Sequence, residues 1–115
     1  FKSLFGYYPP DDTQGCLQDI HWAHGSFGYF PSYTLGNLYS TQIADKMKSE
    51  MDISEMIIQG DFLPIRDWLK EHIFKIGRRL CARDIVKNIS GSDVSHLPYI
   101  NYLKSKFGEI YKVNL

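Results

Sequence analysis

Asp19, His21, Tyr29 and Tyr33 are the residues whose types and spacing could do acid–base or hydrogen-bond-donor chemistry in this chain. They fall in one stretch, Gly15 to Asn37 (GCLQDIHWAHGSFGYFPSYTLGN), which gathers a carboxylate, two imidazoles, an indole, two phenols, four glycines and a proline. Bulky aromatics beside glycines suggest a backbone held close against something, since glycine otherwise costs conformational entropy. Such a segment reads as the wall of a site. In an extended backbone Asp19 and His21 would share one side, with Gln18, Ile20 and Trp22 on the other. A helix would not let residues two apart face each other. Asp19 could then accept from an imidazole nitrogen, orienting the ring and favouring its charged form. The blander alternative makes Asp19 a loop or helix cap and His21 a hydrogen-bonded structural histidine under Trp22. Gln18 and Trp22 are expected to hold the loop in place. Pro31 suits the first position of a helix, which puts Tyr33 in the first turn, where the macrodipole favours a phenol as donor to an anion.

Other groups are poorer candidates. His24 lies three residues from His21, but two imidazoles without a third ligand make a poor zinc site, so no metal is assigned to this chain. Cys16 and Cys81 are far apart, form no C-x-x-C or zinc-finger spacing, and read as reduced, buried, small apolar residues. Arg78, Arg79 and Arg83 with Lys75 form the one basic cluster, which reads as a charged helix end or an interface. Asn88-Ile89-Ser90 matches a glycosylation acceptor, a pattern short enough to arise by accident.

The block Gly15-Cys16-Leu17-Gln18-Asp19-Ile20-His21-Trp22 resembles the G-x-x-Q-D-x-H-W motif of the Taq carboxypeptidase-like family of thermostable metallocarboxypeptidases. The following Gly28-Tyr29-Phe30-Pro31-Ser32-Tyr33-Thr34-Leu35-Gly36-Asn37-Leu38-Tyr39 is similar to a second signature of that family. The resemblance implies an all-α chain, 1–115, forming the C-terminal segment of a larger, mainly helical H-E-x-x-H peptidase with a deep substrate groove. The chain also opens at Phe1 in what reads as a helix end, in keeping with the last part of a longer polypeptide. In such a family a zinc or cobalt ion is held by an upstream H-E-x-x-H helix and a further glutamate, none of which is present here. The implied activity removes single residues from peptide C-termini, and the implied oligomer is a homodimer. By the same resemblance, His21 and Tyr33, with Tyr29 a competitor for the tyrosine role, would bind the substrate backbone and the oxyanion. Asp19 would stand behind His21. A carboxypeptidase must also bind a terminal carboxylate, which bidentate arginine suits. Arg78 is thereby a candidate for lining the groove, although the family's arginine-bearing I-R-x-x-A-D motif is absent from this chain. The rival reading, from another class, is a non-catalytic helical interaction or oligomerisation module that kept this scaffold.

Composition narrows the partners. Thirteen basic and thirteen acidic residues cancel, so no long-range field draws the chain to nucleic acid or an anionic membrane. No run approaches the roughly 18 apolar residues of a transmembrane helix, and the N-terminus lacks a signal-peptide pattern. A cytoplasmic location is the expectation.

The elements that must position these residues all read as helices. A helix tail ends at Gly6, and Pro9-Pro10 forces a linker. A helix from Pro31 to about Met51 carries Leu35, Leu38, Tyr39, Ile43 and Met47 as an apolar stripe. Ile53 to Gln59 follows, started by Asp52 and stopped by Gly60. A further helix, capped by Asp61 and with Pro64 in its first turn, reaches Ile76 before Gly77, with Ile65, Trp68, Leu69 and Ile73 on its inner face. The last two span about Ala82 to Ile89 and Leu97 to Phe107. Tyr39, Tyr102, Trp68 and Phe74 read as core or boundary residues. Such helices are marginal alone in water and depend on packing, so exposed apolar surface is expected wherever an upstream part would pack.

Overall fold

A computed structural model describes residues 1–114, with Trp22 described in its backbone only. The Trp22 side chain, and with it the expectation that it holds the loop, lies outside the described residues. The chain forms two compact units, Phe1–Thr34 and Leu35–Leu115. Among the described residues all regular structure is helical.

The first unit contains α1 (Lys2–Phe5), a 3-10 turn at Cys16–Gln18, α2 (Ile20–Ala23) and the opening turn of α3 (Pro31–Glu50). Gly6 ends α1 in the left-handed region at φ 80°, as its place after Phe5 predicts. Gly15 is needed for a different reason. A Cβ there would stand 2.8 Å from Pro9 Cγ and 3.3 Å from the Asp11 carbonyl oxygen, so only glycine lets the linker close on the 3-10 turn.

In the second unit α3 continues, followed by α4 (Ile53–Gln59), α5 (Leu63–Leu69), a π-helical segment (Lys70–Phe74), α6 (Ala82–Ser90) and α7 (Leu97–Tyr111). α4 keeps its predicted limits. The Asp52 carboxylate accepts from the Glu55 amide at 3.0 Å, and Gly60 closes the helix at φ 73°. Three sequence expectations change. Asp61 does not cap α5; Phe62 occupies that position without a side-chain bond. The helix expected to reach Ile76 loosens after Leu69 into a π turn, in which the Lys75 amide donates to the Lys70 carbonyl at 3.0 Å. There the His72 imidazole donates through Nδ1 to the Trp68 carbonyl at 2.9 Å and stacks on the indole at 4.1 Å. α7 runs past Phe107 to Tyr111, where the chain folds back and Val113 N–H donates to the Gly108 carbonyl at 3.2 Å.

The core sits where α3, α5 and α6 meet. Met47, Trp68 and Ile89 are buried together, with Ile43, Met51, Ile53, Ile65, Leu69, Ile73 and Ile85 packed around them. Trp68 satisfies its indole N–H on Glu50 at 2.6 Å, as a buried indole requires. Phe74, read as a core or boundary residue, is instead 60% exposed at the end of the π segment. Tyr102 and Leu35 are exposed too. The two cysteines are also corrected, since both are exposed. Each occupies a local turn rather than an apolar stripe, and Cys81 Sγ, just before α6, donates to Asp84 at 3.0 Å. Exposed apolar side chains are numerous, Leu4 (82%) and Ile58 (78%) foremost. Each such side chain left in water forgoes about 1.5–3 kcal/mol of burial.

Gln42 is the buried polar exception, 4% exposed. Its Nε2 donates to Ser90 Oγ, Ser92 Oγ and the Asp93 carbonyl at 2.9, 3.0 and 3.1 Å. Its Oε1 accepts from the Ser95 amide at 3.0 Å. One amide thus holds the whole connection between α6 and α7 against α3. Gln42→Leu strips those groups of their partner, which costs about 1–3 kcal/mol; denaturant unfolding should show a lower midpoint and hydrogen exchange a faster Ser95 amide. Unchanged values would mean the connection is held by other contacts.

Candidate active-site wall around His21

The geometry begins with Asp19. Its backbone is extended (φ −102°, ψ 111°) and the next four residues form α2. One carboxylate oxygen, Oδ1, accepts both the His21 amide at 2.9 Å and His21 Nδ1 at 2.8 Å. The extended Gln18–Trp22 segment expected from sequence is therefore corrected. His21 lies in a helical turn, and the two residues meet because Asp19 precedes that turn and folds its side chain back as a cap. Capping and imidazole binding are one interaction. Gln18 Nε2 donates to the Thr13 carbonyl at 2.7 Å, bracing the loop that leads into Asp19.

A carboxylate only accepts, so Nδ1 carries a hydrogen. Nε2 of the neutral ring is then bare, and it faces the Tyr33 hydroxyl at 3.3 Å. In that state the phenol donates and the imidazole accepts.

Residues 24–32 return the chain to His21. The Ser26 amide donates to the His21 carbonyl at 2.8 Å, and Gly25 and Gly28 turn at φ 68° and 77°, conformations glycine adopts without steric cost. Ser32 Oγ donates to the Tyr29 carbonyl at 2.6 Å, and the Tyr33 amide to the Phe30 carbonyl at 3.0 Å, as α3 starts at Pro31. Three rings consequently meet the imidazole. Tyr29 stacks on it at 5.5 Å and 24°, Phe30 lies tilted at 4.7 Å and 48°, and Tyr33 stands edge-on at 5.7 Å and 71°. Tyr29 and Tyr33 are themselves perpendicular at 5.3 Å. His21 and Asp19 side chains are about three-quarters or more covered (24% and 18% exposed). Partial desolvation, the neighbouring Tyr29 phenol and the Asp19 carboxylate push the Tyr33 phenol above its usual range, so it stays an O–H donor through neutral and mildly alkaline pH.

Tyr29 and Tyr33, the two competing tyrosines, thus occupy different positions: Tyr33 is hydrogen-bonded to the imidazole, while Tyr29 is stacked on it. Phe30 was not singled out by residue type. Its signal was its place directly before Pro31, which fixes the entry to α3. His24 is exposed at the end of α2, and among the described residues no three His, Cys, Asp or Glu side chains gather to hold a metal ion. These residues do not fit a metal site. Arg78 belongs to the second unit, between the π segment and α6. Its neighbours are used locally: Arg79 donates to the Lys75 and Ile76 carbonyls at 2.6 and 3.1 Å, and Arg83 pairs with Asp93 at 3.4 Å.

Residues 1–107 match the family model of the carboxypeptidase Taq (M32) metallopeptidases. The chain belongs to the M32 family. Carboxypeptidase 1 of Bacillus subtilis and thermostable carboxypeptidase 1 of Thermus thermophilus are each 38% identical to it over 112 residues, 96% of this chain. Thermostable carboxypeptidase 1 of Pyrococcus furiosus is 38% identical over 107 residues. The crystal structure of BsuCP superposes with a TM-score of 0.80 at 37% identity, covering 95% of this chain. The Apo-Mg structure of Pyrococcus furiosus carboxypeptidase gives 0.82 at 37%, covering 92%. This M32 chain spans only about a fifth of those relatives' length, 22% for the Bacillus and Thermus enzymes.

The Tyr33 shift is directly measurable. Because its folded-state value lies above that of the unfolded phenol, near 10.0, any stability tied to the protonated form is intact below that pH and drains away above it. Alkaline spectrophotometric titration of wild type against Tyr33→Phe should isolate one phenol ionising above 10.0. A difference curve centred at or below that value would contradict the crowded ring arrangement.

Proposed function

We propose that the complete protein is a metal-dependent carboxypeptidase that hydrolyses single residues from peptide C-termini, and that this segment supplies its substrate-side and oxyanion-binding groups. Membership of the M32 metallopeptidases supports a peptidase with a divalent metal. The observation that carries the segment's role is the Asp19–His21–Tyr33 chain of hydrogen bonds. By the family resemblance, zinc or cobalt would be held by an upstream H-E-x-x-H helix and a further glutamate outside this segment.

Cleavage of a peptide passes through a tetrahedral oxyanion, and donors already aimed at it lower the barrier. Tyr33 is the donor available while His21 is neutral, for its O–H needs only to turn from Nε2 to the substrate oxygen. His21 accepts that hydrogen in the resting state and, when protonated, donates through Nε2 to the substrate backbone. Asp19 fixes the tautomer that permits both, and Tyr29 backs the imidazole. Gln18 braces the loop through the Thr13 carbonyl. Arg78 is the candidate to line the groove beside the substrate's terminal carboxylate. The complete enzyme is proposed to be a cytoplasmic homodimer acting on peptide C-termini, with neither nucleic acid nor membrane as partner.

The deciding experiment is Tyr33→Phe in the full-length enzyme. Loss of one oxyanion donor costs about 3 kcal/mol, so kcat should drop roughly 100-fold, with KM and bound metal nearly unchanged. Wild-type turnover would remove Tyr33 from the chemistry. A full-length sequence without H-E-x-x-H would favour the interaction-module reading.

A further inference from the structure

We propose that Phe30 is a positioning residue, whose ring keeps the His21 imidazole in the plane where Nδ1 meets Asp19 and Nε2 meets Tyr33. The inference rests on the reading of His21 and Tyr33 given above. Hydrogen bonds at the two ring nitrogens oppose a flip of the ring, but the torsion that carries an imidazole is broad, so tilting out of plane is left to be opposed by packing. Phe30 lies 4.7 Å from the imidazole at 48° and 6.0 Å from the Tyr33 ring at 61°. It therefore touches both members of the pair. Tyr29 touches both as well, but it carries a hydroxyl able to compete for the same partners. Phe30 has no polar atom, so it packs against the Tyr33–His21 bond without offering an alternative to it. That bond is long at 3.3 Å, and a long bond is readily lost to water.

The backbone makes Phe30 fit for this. A residue before proline is biased to extended conformations, which limits where its side chain can go. Its carbonyl accepts the Tyr33 amide at 3.0 Å. The placement of Phe30 over His21 and the start of the helix bearing Tyr33 are thus set by the same residue.

The test uses the full-length enzyme on a peptide substrate. Phe30→Leu should lower kcat by about 10- to 100-fold, the scale of an ångström-sized misplacement, while KM stays within about threefold and the melting temperature within a few degrees. Should Phe30→Leu not fold, Phe30→Met keeps the volume without the ring and carries the same expectations. Wild-type kcat in the ring-less variant, or a loss confined to KM, would overturn the assignment. Tyr33→Phe, run alongside, separates the two ideas. If Tyr33→Phe is impaired and Phe30→Leu is not, only the role of Phe30 falls; if Tyr33→Phe is silent, the reading of the site falls with it.

Discussion

One carboxylate oxygen governs the arrangement around His21. Asp19 Oδ1 takes both N–H groups that His21 can offer nearby, the amide that opens α2 and the ring Nδ1. The first bond caps a helix only four residues long, which has too few internal bonds to persist unaided. The second sets the imidazole tautomer, and with it the direction of the hydrogen bond at Nε2. Local folding and donor polarity are therefore the same event, and a perturbation of one is felt in the other.

The rings answer a second constraint. A neutral imidazole accepting from a phenol in open water would exchange that partner readily, because a solvent hydroxyl serves as well. Tyr29, Phe30 and Tyr33 pack around His21 and cover most of its side chain, while the rings themselves stay about half exposed. The same crowding disfavours phenolate and keeps Tyr33 a donor. Positive-φ turns at Gly25 and Gly28 bring these rings back within twelve residues of the imidazole, a path that side chains with a Cβ would strain.

The second unit shows what a small core can and cannot do. Met47, Trp68 and Ile89 with their half-buried neighbours hold α3, α5 and α6 together, and Gln42 ties in the connection to α7. Yet large apolar side chains remain in water along α1, α4 and α7. Buried apolar area must offset the conformational entropy of the ordered chain, and a core of this size contributes little beyond that. The relatives, more than four times as long, have further polypeptide with which to cover such faces.

Helix existence and type were legible because they rest on near-neighbour physics. Asp52 and Gly60 bound α4, Pro31 opens α3, and Gly91 closes α6, each through its own backbone preference. The pairing of Asp19 with His21 was expected from an extended backbone, whereas a capped helical turn brings them together; the family was legible from eight residues around it. What the sequence did not disclose depended on contacts between elements or on hydrogen-bond direction. The π turn after Leu69 arises where His72 folds onto Trp68; the buried place of Gln42 needs serines some fifty positions away; and the exposure of both cysteines reflects which surfaces find a neighbour. From Pro31 onward the sequence alone determined most of the helices, and it marked which residues could do chemistry, because capping, proline and glycine effects act within a few residues. Tertiary structure alone decided that His21 accepts from Tyr33 under the rings of Tyr29 and Phe30, because ring packing and donor direction exist only once separate turns have met.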